Sequence, residues 1–305
     1  MSPKDDISPI RKQYLEIKRQ YPNAILFFRL GDFYETFDQD AEVTSRELDI
    51  VLTSRNVAKG TRVPMAGIPH HAAENYLARL IERGYHVAIC EQVGDQPIKG
   101  LFPRQVMRVV TPGTVIEPGL LPGDANNYLA CVVISEDEDV RRAGVAYADI
   151  TTGEFATTEL QEGDLQTSVR AELIRLMPAE ILHPDSYKTG NGLPGHLTAW
   201  PAWRFELGRC QEALLKHFET ATLDGFGLRG LPLAVRAAGA ILQYLGETQA
   251  ASLKQLSRLS VYSLLDFMTL DAATRRNLEL TETIRGSSSK GSLLGVLDHT
   301  ITPMG

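Results

Sequence analysis

The sequence predicts an α/β protein: a mixed-sheet N-terminal domain, a second α/β domain, and then the start of an all-helical region. Three observations carry this prediction. Apolar runs of strand length alternate with longer amphipathic stretches over residues 11–110, and again over 128–182, as in sheets interleaved with helices. Residues 111–123 hold three prolines and three glycines, which marks an interdomain connection. From about Leu231 onward the periodicity is mostly helical. A chain of 305 residues has room for two domains and part of a third.

In chain order, residues 11–20 read as a short helix and 23–30 as a buried strand. Residues 32–48 read as a helix, with Phe37, Ala41, Thr44 and Leu48 on one face. Its first turn has a natural N-cap in Asp32, and Glu35 three residues on completes a capping-box pattern. Phe33 and Tyr34 both fall within the apolar arc, so periodicity allows either to be buried. The alternative places Phe33 exposed at the helix tip with Glu35 beside it. Residues 50–53 read as a short strand and 65–71 as a turn-rich loop leading to a helix from about Ala72, stopped by Gly84. Strands follow at 86–90 and 106–110. The second domain should begin as a meander over 128–135, 143–150 and 153–160, followed by a helix over 165–177 and a strand at 180–182. Helices are expected at 233–245 and 263–282. The latter leaves apolar faces with little chain to cover them, as in a piece of a longer protein.

Composition excludes several classes. With 43% hydrophobic and 23% charged residues the chain resembles an ordinary globular protein, and no apolar stretch approaches the ~18 residues of a membrane span. Cys90, Cys131 and Cys210 are odd in number and far apart, so neither a disulfide framework nor a zinc site is expected, and a reducing cytoplasm fits best. The net charge of −7 conceals an asymmetry: residues 1–115 carry 15 Lys and Arg against 14 Asp and Glu, and the remainder 16 against 24. Residues 50–73 hold Arg55, Lys59 and Arg62 with no acid, and residues 96–116 hold Lys99, Arg104 and Arg108 with none. Two such segments either form a local patch for phosphates or are ordinary solvated loops.

Three motif-like stretches carry little chemistry. Gly225-Phe226-Gly227-Leu228-Arg229-Gly230 matches GxGxxG, but a helix end and a loop precede it rather than the strand a dinucleotide site requires. Gly286-Ser287-Ser288-Ser289-Lys290-Gly291-Ser292 lacks the glycine directly before lysine that a phosphate loop needs. Asp149-Ile150-Thr151-Thr152-Gly153 ends a strand in a DxxTG pattern. A ribonuclease-H-like nuclease or phosphotransferase centred on Asp149 is therefore the competing reading, though two-metal cleavage needs more converging carboxylates than Asp149 and Glu154. No histidine pair has metal-ligand spacing.

Gly31-Asp32-Phe33-Tyr34-Glu35 resembles the Phe-x-Glu motif of the MutS family of DNA mismatch-recognition proteins. The likeness continues in Pro64-Met65-Ala66-Gly67-Ile68-Pro69-His70-His71-Ala72, Ala88-Ile89-Cys90-Glu91-Gln92 and Val109-Val110-Thr111-Pro112-Gly113-Thr114. It runs on through Asp149-Ile150-Thr151-Thr152-Gly153-Glu154-Phe155 and Leu270-Asp271-Ala272-Ala273-Thr274-Arg275-Arg276-Asn277-Leu278-Glu279. The resemblance implies a mismatch-recognition domain over 1–113, a linker over 114–126, a non-catalytic ribonuclease-H-like connector over 127–250, and the start of a helical core over 251–305. It puts an aromatic wedge at Phe33 and its acidic companion at Glu35. Arg55, Lys59, Arg62, Arg104 and Arg108 are candidate DNA-backbone contacts on grounds of charge. Implied partners are double-stranded DNA with mismatches or small loops, a MutL-type protein docking on the connector, and a second copy of the chain. No cofactor is expected in these residues, since the family's ATP and magnesium belong to a C-terminal ATPase part, and no enzymatic activity is expected of them.

Overall fold

A computed structural model describes residues 8–58, 61–94, 96, 100–117, 119–121, 126–135, 141–161, 164–187, 192–264, 270, 272–286 and 288–300. The chain divides into two compact units, Met1–Val115 with Glu247–Ala250, and Ile116–Gly246 with Ala251–Gly305.

The first unit is built on a six-stranded mixed sheet. Its elements are α1 (Pro9–Lys18), β1 (Ile25–Leu30), β2 (Phe33–Phe37), α2 (Asp38–Leu48), β3 (Thr53–Ala58), β4 (Thr61–Pro69), α3 (Ala73–Glu82), β5 (Val87–Gln92) and β6 (Arg104–Val110). The strand order is β3-β4-β2-β1-β5-β6; β1 and β5 run parallel and the other neighbours antiparallel. Helix α1 begins at a Ser8 cap followed by Pro9, the residue suited to a first helical position. Its Tyr14 packs edge-on against Phe28 and Phe37, with ring centroids 5.5 and 4.9 Å away. Buried Asp40 of α2 accepts hydrogen bonds from Lys18 Nζ (2.8 Å), the Leu26 amide (3.0 Å) and the Tyr14 hydroxyl (3.2 Å). One carboxylate thus joins α1, α2 and β1, its desolvation offset by three donors.

Three expectations are corrected in this unit. Residues 32–48 are not one helix: β2 takes Phe33–Phe37 and α2 starts only at Asp38. Asp32 therefore caps no helix, and Glu35 completes no capping box. The strand expected at 50–53 begins only at Thr53, and the expected loop at 65–71 is largely β4. Strand β4 accommodates Pro64 because β2 pairs with β4 only from Met65 to Pro69, so at Pro64 the sole neighbour is β3. Residues Thr111–Val115, at the start of the Pro/Gly-rich segment, are buried; Thr111 and Thr114 close a 3-10 turn by reciprocal side-chain bonds.

The second unit also contains a six-stranded mixed sheet, in the order β11-β10-β7-β8-β9-β12. Strands β7 (Leu129–Ile134), β8 (Arg142–Asp149) and β9 (Glu154–Gln161) form the expected antiparallel meander. Strands β10 (Glu180–Pro184), β11 (His196–Trp200) and β12 (Ser260–Val261) extend it in parallel. Helix α4 (Leu165–Leu176) packs Val169 and Leu173 on the side of Val132, Val145 and Tyr147. Helices α5 (Leu207–His217) and α6 (Pro232–Thr248) cover the other side, around Cys131, Ala146 and Ala148. Glu159 accepts from the Leu233 amide (2.8 Å) at the start of α6, where a carboxylate offsets the positive end of the helix. The GxGxxG stretch connects α5 to α6 and follows a helix, so it lacks the setting of a dinucleotide site. The long helix expected at 263–282 is replaced, among the described residues, by the short α7 (Ala272–Asn277); α8 (Leu293–Leu297) follows.

Candidate nucleic-acid interface

The hairpin β1–β2 turns through two residues, Gly31 and Asp32, because Leu30 pairs directly with Phe33. Gly31 has φ +59°, the positive value that the tight hairpin turn matching strand twist requires at its first position. The turn is tied to the sheet from outside the hairpin, since the His70 amide at the end of β4 donates to the Asp32 carbonyl (2.8 Å).

Strand alternation then sorts the residues of β2. Phe33 and Glu35 point to one face; Tyr34 and Thr36 are buried on the other. Phe33 is 48% exposed, whereas Phe27, Phe28 and Phe37 of the same sheet are at most 2% exposed. Beside it, the Glu35 carboxylate is ion-paired with the Arg55 guanidinium of β3, which reaches across β4 on the same face. Opposite Glu35 in β4 stands Gly67, whose missing side chain leaves that face bare.

On the reverse face Tyr34 is held from several sides. Its hydroxyl donates to Glu91, its ring lies 5.8 Å from Phe27 and 5.6 Å from His70, and the Arg29 guanidinium sits 5.6 Å from its centroid. Burial first, and the Glu91 carboxylate second, push the Tyr34 phenol well above its ordinary range, so it stays a neutral donor. This anchoring of the residue between Phe33 and Glu35 was missed in the sequence. The out–in–out–in order of Phe33, Tyr34, Glu35 and Thr36 was the available signal.

The candidate cations come from strands at opposite edges of the sheet. Arg55 and Arg62 lie in the β3–β4 hairpin at one edge of the sheet, Arg62 exposed. Arg104 and Arg108 lie in β6 at the other edge, yet the Arg104 guanidinium reaches back over Phe28 of β1, within electrostatic range of Glu35. Lys59 lies outside the described residues. Arg104 is engaged within the protein: it donates to the Arg29 carbonyl (2.8 Å), Gln13 Oε1 (2.9 Å) and the Phe102 carbonyl (3.1 Å), and stacks 4.9 Å from the Phe28 centroid. Burial holds its guanidinium below the usual arginine range, against the opposing charges of Cys90 and Glu35. Arg108 pairs in register with Ile89, on the Tyr34 side of the sheet, where its charge favours the phenolate.

In the second unit, Asp149 is fully buried and closes a turn. Its Oδ1 accepts from the Thr151 amide (2.8 Å) and hydroxyl (2.6 Å), and its Oδ2 from the Asn127 amide (3.1 Å). Glu154 accepts from the hydroxyls of Tyr128 (2.7 Å) and Tyr147 (3.0 Å). Among the described residues no group of three or more His, Cys, Asp or Glu side chains is placed to hold a metal ion. The arrangement gives Asp149 the role of a turn-forming residue.

Three consecutive family models match the chain: MutS domain I over residues 8–118, MutS domain II over 127–257 and MutS domain III over 273–305. The chain belongs to the MutS family. Similar curated proteins include the DNA mismatch repair protein MutS of Dehalococcoides mccartyi, 54% identical over 99% of this chain and 34% of that protein. Those of Symbiobacterium thermophilum (48% identical, 98% of this chain, 35% of that protein) and Halothermothrix orenii (45%, 98% and 34%) are also similar. The chain thus spans about a third of the length of the curated relatives it matches. No helix among the described residues is long and apolar enough to cross a membrane.

Proposed function

We propose that the first unit recognises mispaired or unpaired bases in duplex DNA, with Phe33 as the wedge and Glu35 as the base contact. The observation that carries this reading is the Phe33 ring, 48% exposed at a hairpin tip in a sheet whose other phenylalanines are buried. A mispaired step is poorly stacked, so opening it costs less than opening a matched one. An aromatic ring entering from the minor groove stacks on the freed base and kinks the duplex. Such stacking contributes about 1–3 kcal/mol per base. Glu35, on the same face, accepts a hydrogen bond from a base N–H, or donates one when protonated. Against a well-paired step its negative charge repels, so it acts more by discriminating against matched DNA than by adding affinity.

Arg55, Arg62 and Lys59 supply the sequence-independent grip on phosphates, with Arg108 at the opposite edge. Arg104, already engaged by three protein acceptors, contributes chiefly by holding β6 beside Phe28. The second unit acts as a non-catalytic connector of ribonuclease-H-like type that receives a MutL-type partner, and two copies of the whole protein enclose the DNA. An ATP and magnesium requirement, implied by the family resemblance alone, is assigned to a C-terminal part of such a protein.

The test is a titration of mismatched and matched duplexes of otherwise equal sequence with the full chain carrying Phe33→Ala. Preference for the mismatch should disappear while affinity for matched DNA and the melting temperature stay close to those of the parent. An unchanged preference would rule out the wedge.

A further inference from the structure

Gly67 lies in the interior of β4, directly opposite Glu35. Glycine weakens a strand there, by roughly 0.5–1 kcal/mol relative to alanine, so its presence needs a reason. The backbone supplies none, because Gly67 is absent from the glycines with positive φ. Packing supplies none either. A Cβ at this position would meet the Tyr34 carbonyl oxygen at 3.6 Å, Glu35 Cγ at 3.8 Å and Phe33 Cδ1 at 3.9 Å, all ordinary van der Waals contacts.

Other glycines show what an internal requirement looks like. A Cβ on Gly144 would lie 2.1 Å from the Leu233 carbonyl oxygen, and one on Gly239 would lie 2.4 Å from Cys210 Cβ. At those positions the fold itself excludes a side chain. At Gly67 it does not, and the atoms a side chain would touch belong to Phe33, Tyr34 and Glu35. Close approach of something from outside the strand is the remaining reason for glycine in a strand interior.

We infer that Gly67 is a specificity-determining position, whose bare backbone floors a recess between the Phe33 ring and the Glu35 side chain for the minor-groove edge of the mispaired base. This rests on the proposed roles of Phe33 and Glu35. With Gly67 the base edge settles against the strand while the ring stacks on it and the carboxylate reaches its N–H. A side chain at 67 stands in that recess, leaning on the ring and lifting the base away from Glu35.

The experiment uses the full chain with Gly67→Ala and Gly67→Val, a duplex with one G·T mispair, and the matched duplex of the same sequence. Melting curves check the fold, which should hold or gain stability because valine suits a strand. The ratio of mismatch to match affinity should fall in the order glycine, alanine, valine. The valine variant should lose roughly fivefold or more, the lower end of what one stacked base contributes.

A folded Gly67→Val protein with the parental ratio overturns the inference. If the valine variant does not fold, a parental ratio in Gly67→Ala overturns it instead. Phe33→Ala, measured alongside, separates the two levels. Loss of preference there with none at Gly67 sinks only the recess, whereas retention in Phe33→Ala sinks the wedge on which it rests.

Discussion

The ion pair between Arg55 and Glu35 gives the sharpest test of how the interface changes when DNA arrives. The perturbation is a double-mutant cycle of Arg55→Ala, Glu35→Ala and the two together. Two unit charges in contact at about 4 Å gain ~4 kcal/mol at an effective dielectric of 20 and ~1 kcal/mol in water. The Arg55 side chain is 38% exposed and that of Glu35 16%, so water screens the pair from the arginine side. That places the expected coupling near the surface range, about 0.5–1 kcal/mol. It should shrink between 0.1 and 1 M salt, as the screening length drops from ~10 to ~3 Å. A pair this weak can open in exchange for one stacked base, worth ~1–3 kcal/mol. Glu35 is then free to turn to the base and Arg55 to a phosphate. Urea unfolding of the four proteins at two salt concentrations measures the coupling. DNA titrations across a salt series measure the exchange: Arg55→Ala should weaken mismatched and matched duplexes alike and flatten the log–log salt slope by about 0.9. Coupling of ~3 kcal/mol or more, insensitive to salt, would show a fixed pair that holds Glu35 away from DNA. An unchanged slope would remove Arg55 from the phosphate contacts.

Two further outcomes follow from other parts of the chain. Asp149→Ala should destabilise the second unit by about 1–3 kcal/mol in urea unfolding, because it removes the buried carboxylate that accepts from Thr151 and Asn127 and closes the turn. Magnesium-dependent phosphodiester cleavage that this substitution abolishes would refute the turn-forming role. Burial pushes the Cys90 and Cys210 thiols, and the Tyr147 phenol with help from Glu154, up to about 12. Each folded value lies above the ordinary 9.0 or 10.0, so the associated stability is complete below about pH 9 and lost progressively as pH rises toward 12. Melting temperature should fall through that window, and native thiols should resist alkylation at pH 8; rapid labelling of Cys90 or Cys210 there would contradict the burial.

Much of the architecture was legible because apolar runs such as Ile25–Leu30, Leu129–Ile134 and Glu180–Pro184 are short, buried and bounded by turn residues. The site was less so. The stretch from Asp32 to Phe37 satisfies a helix rule and a strand rule at once: Asp-x-x-Glu mimics a capping box, while Phe-Tyr-Glu-Thr alternates exposed and buried. Pairing with β1 on one side and β4 on the other decides the contest, and neither partner is local enough for a propensity to register. Strand β4 was hidden for a related reason. Gly67 and Pro69 read as loop residues, and only the staggered end of β2 makes the preceding Pro64 harmless in a strand. The family resemblance that singles out Phe33 and Glu35 is independent of this contest, because an ordered series of matches does not depend on the local conformation assigned to any one of them.

The hydrogen bond from the His70 amide to the Asp32 carbonyl has a mechanical meaning. With Tyr34 clamped behind it and Asp32 tethered beside it, the hairpin tip is stiff before any ligand arrives, so little ordering entropy is lost when it engages. Between a stiff spur and a duplex, the duplex is the body that deforms. Under the proposed wedge role, recognition becomes a measurement of compliance: the same ring presses on every step, and the steps that yield are those whose own stacking is already compromised.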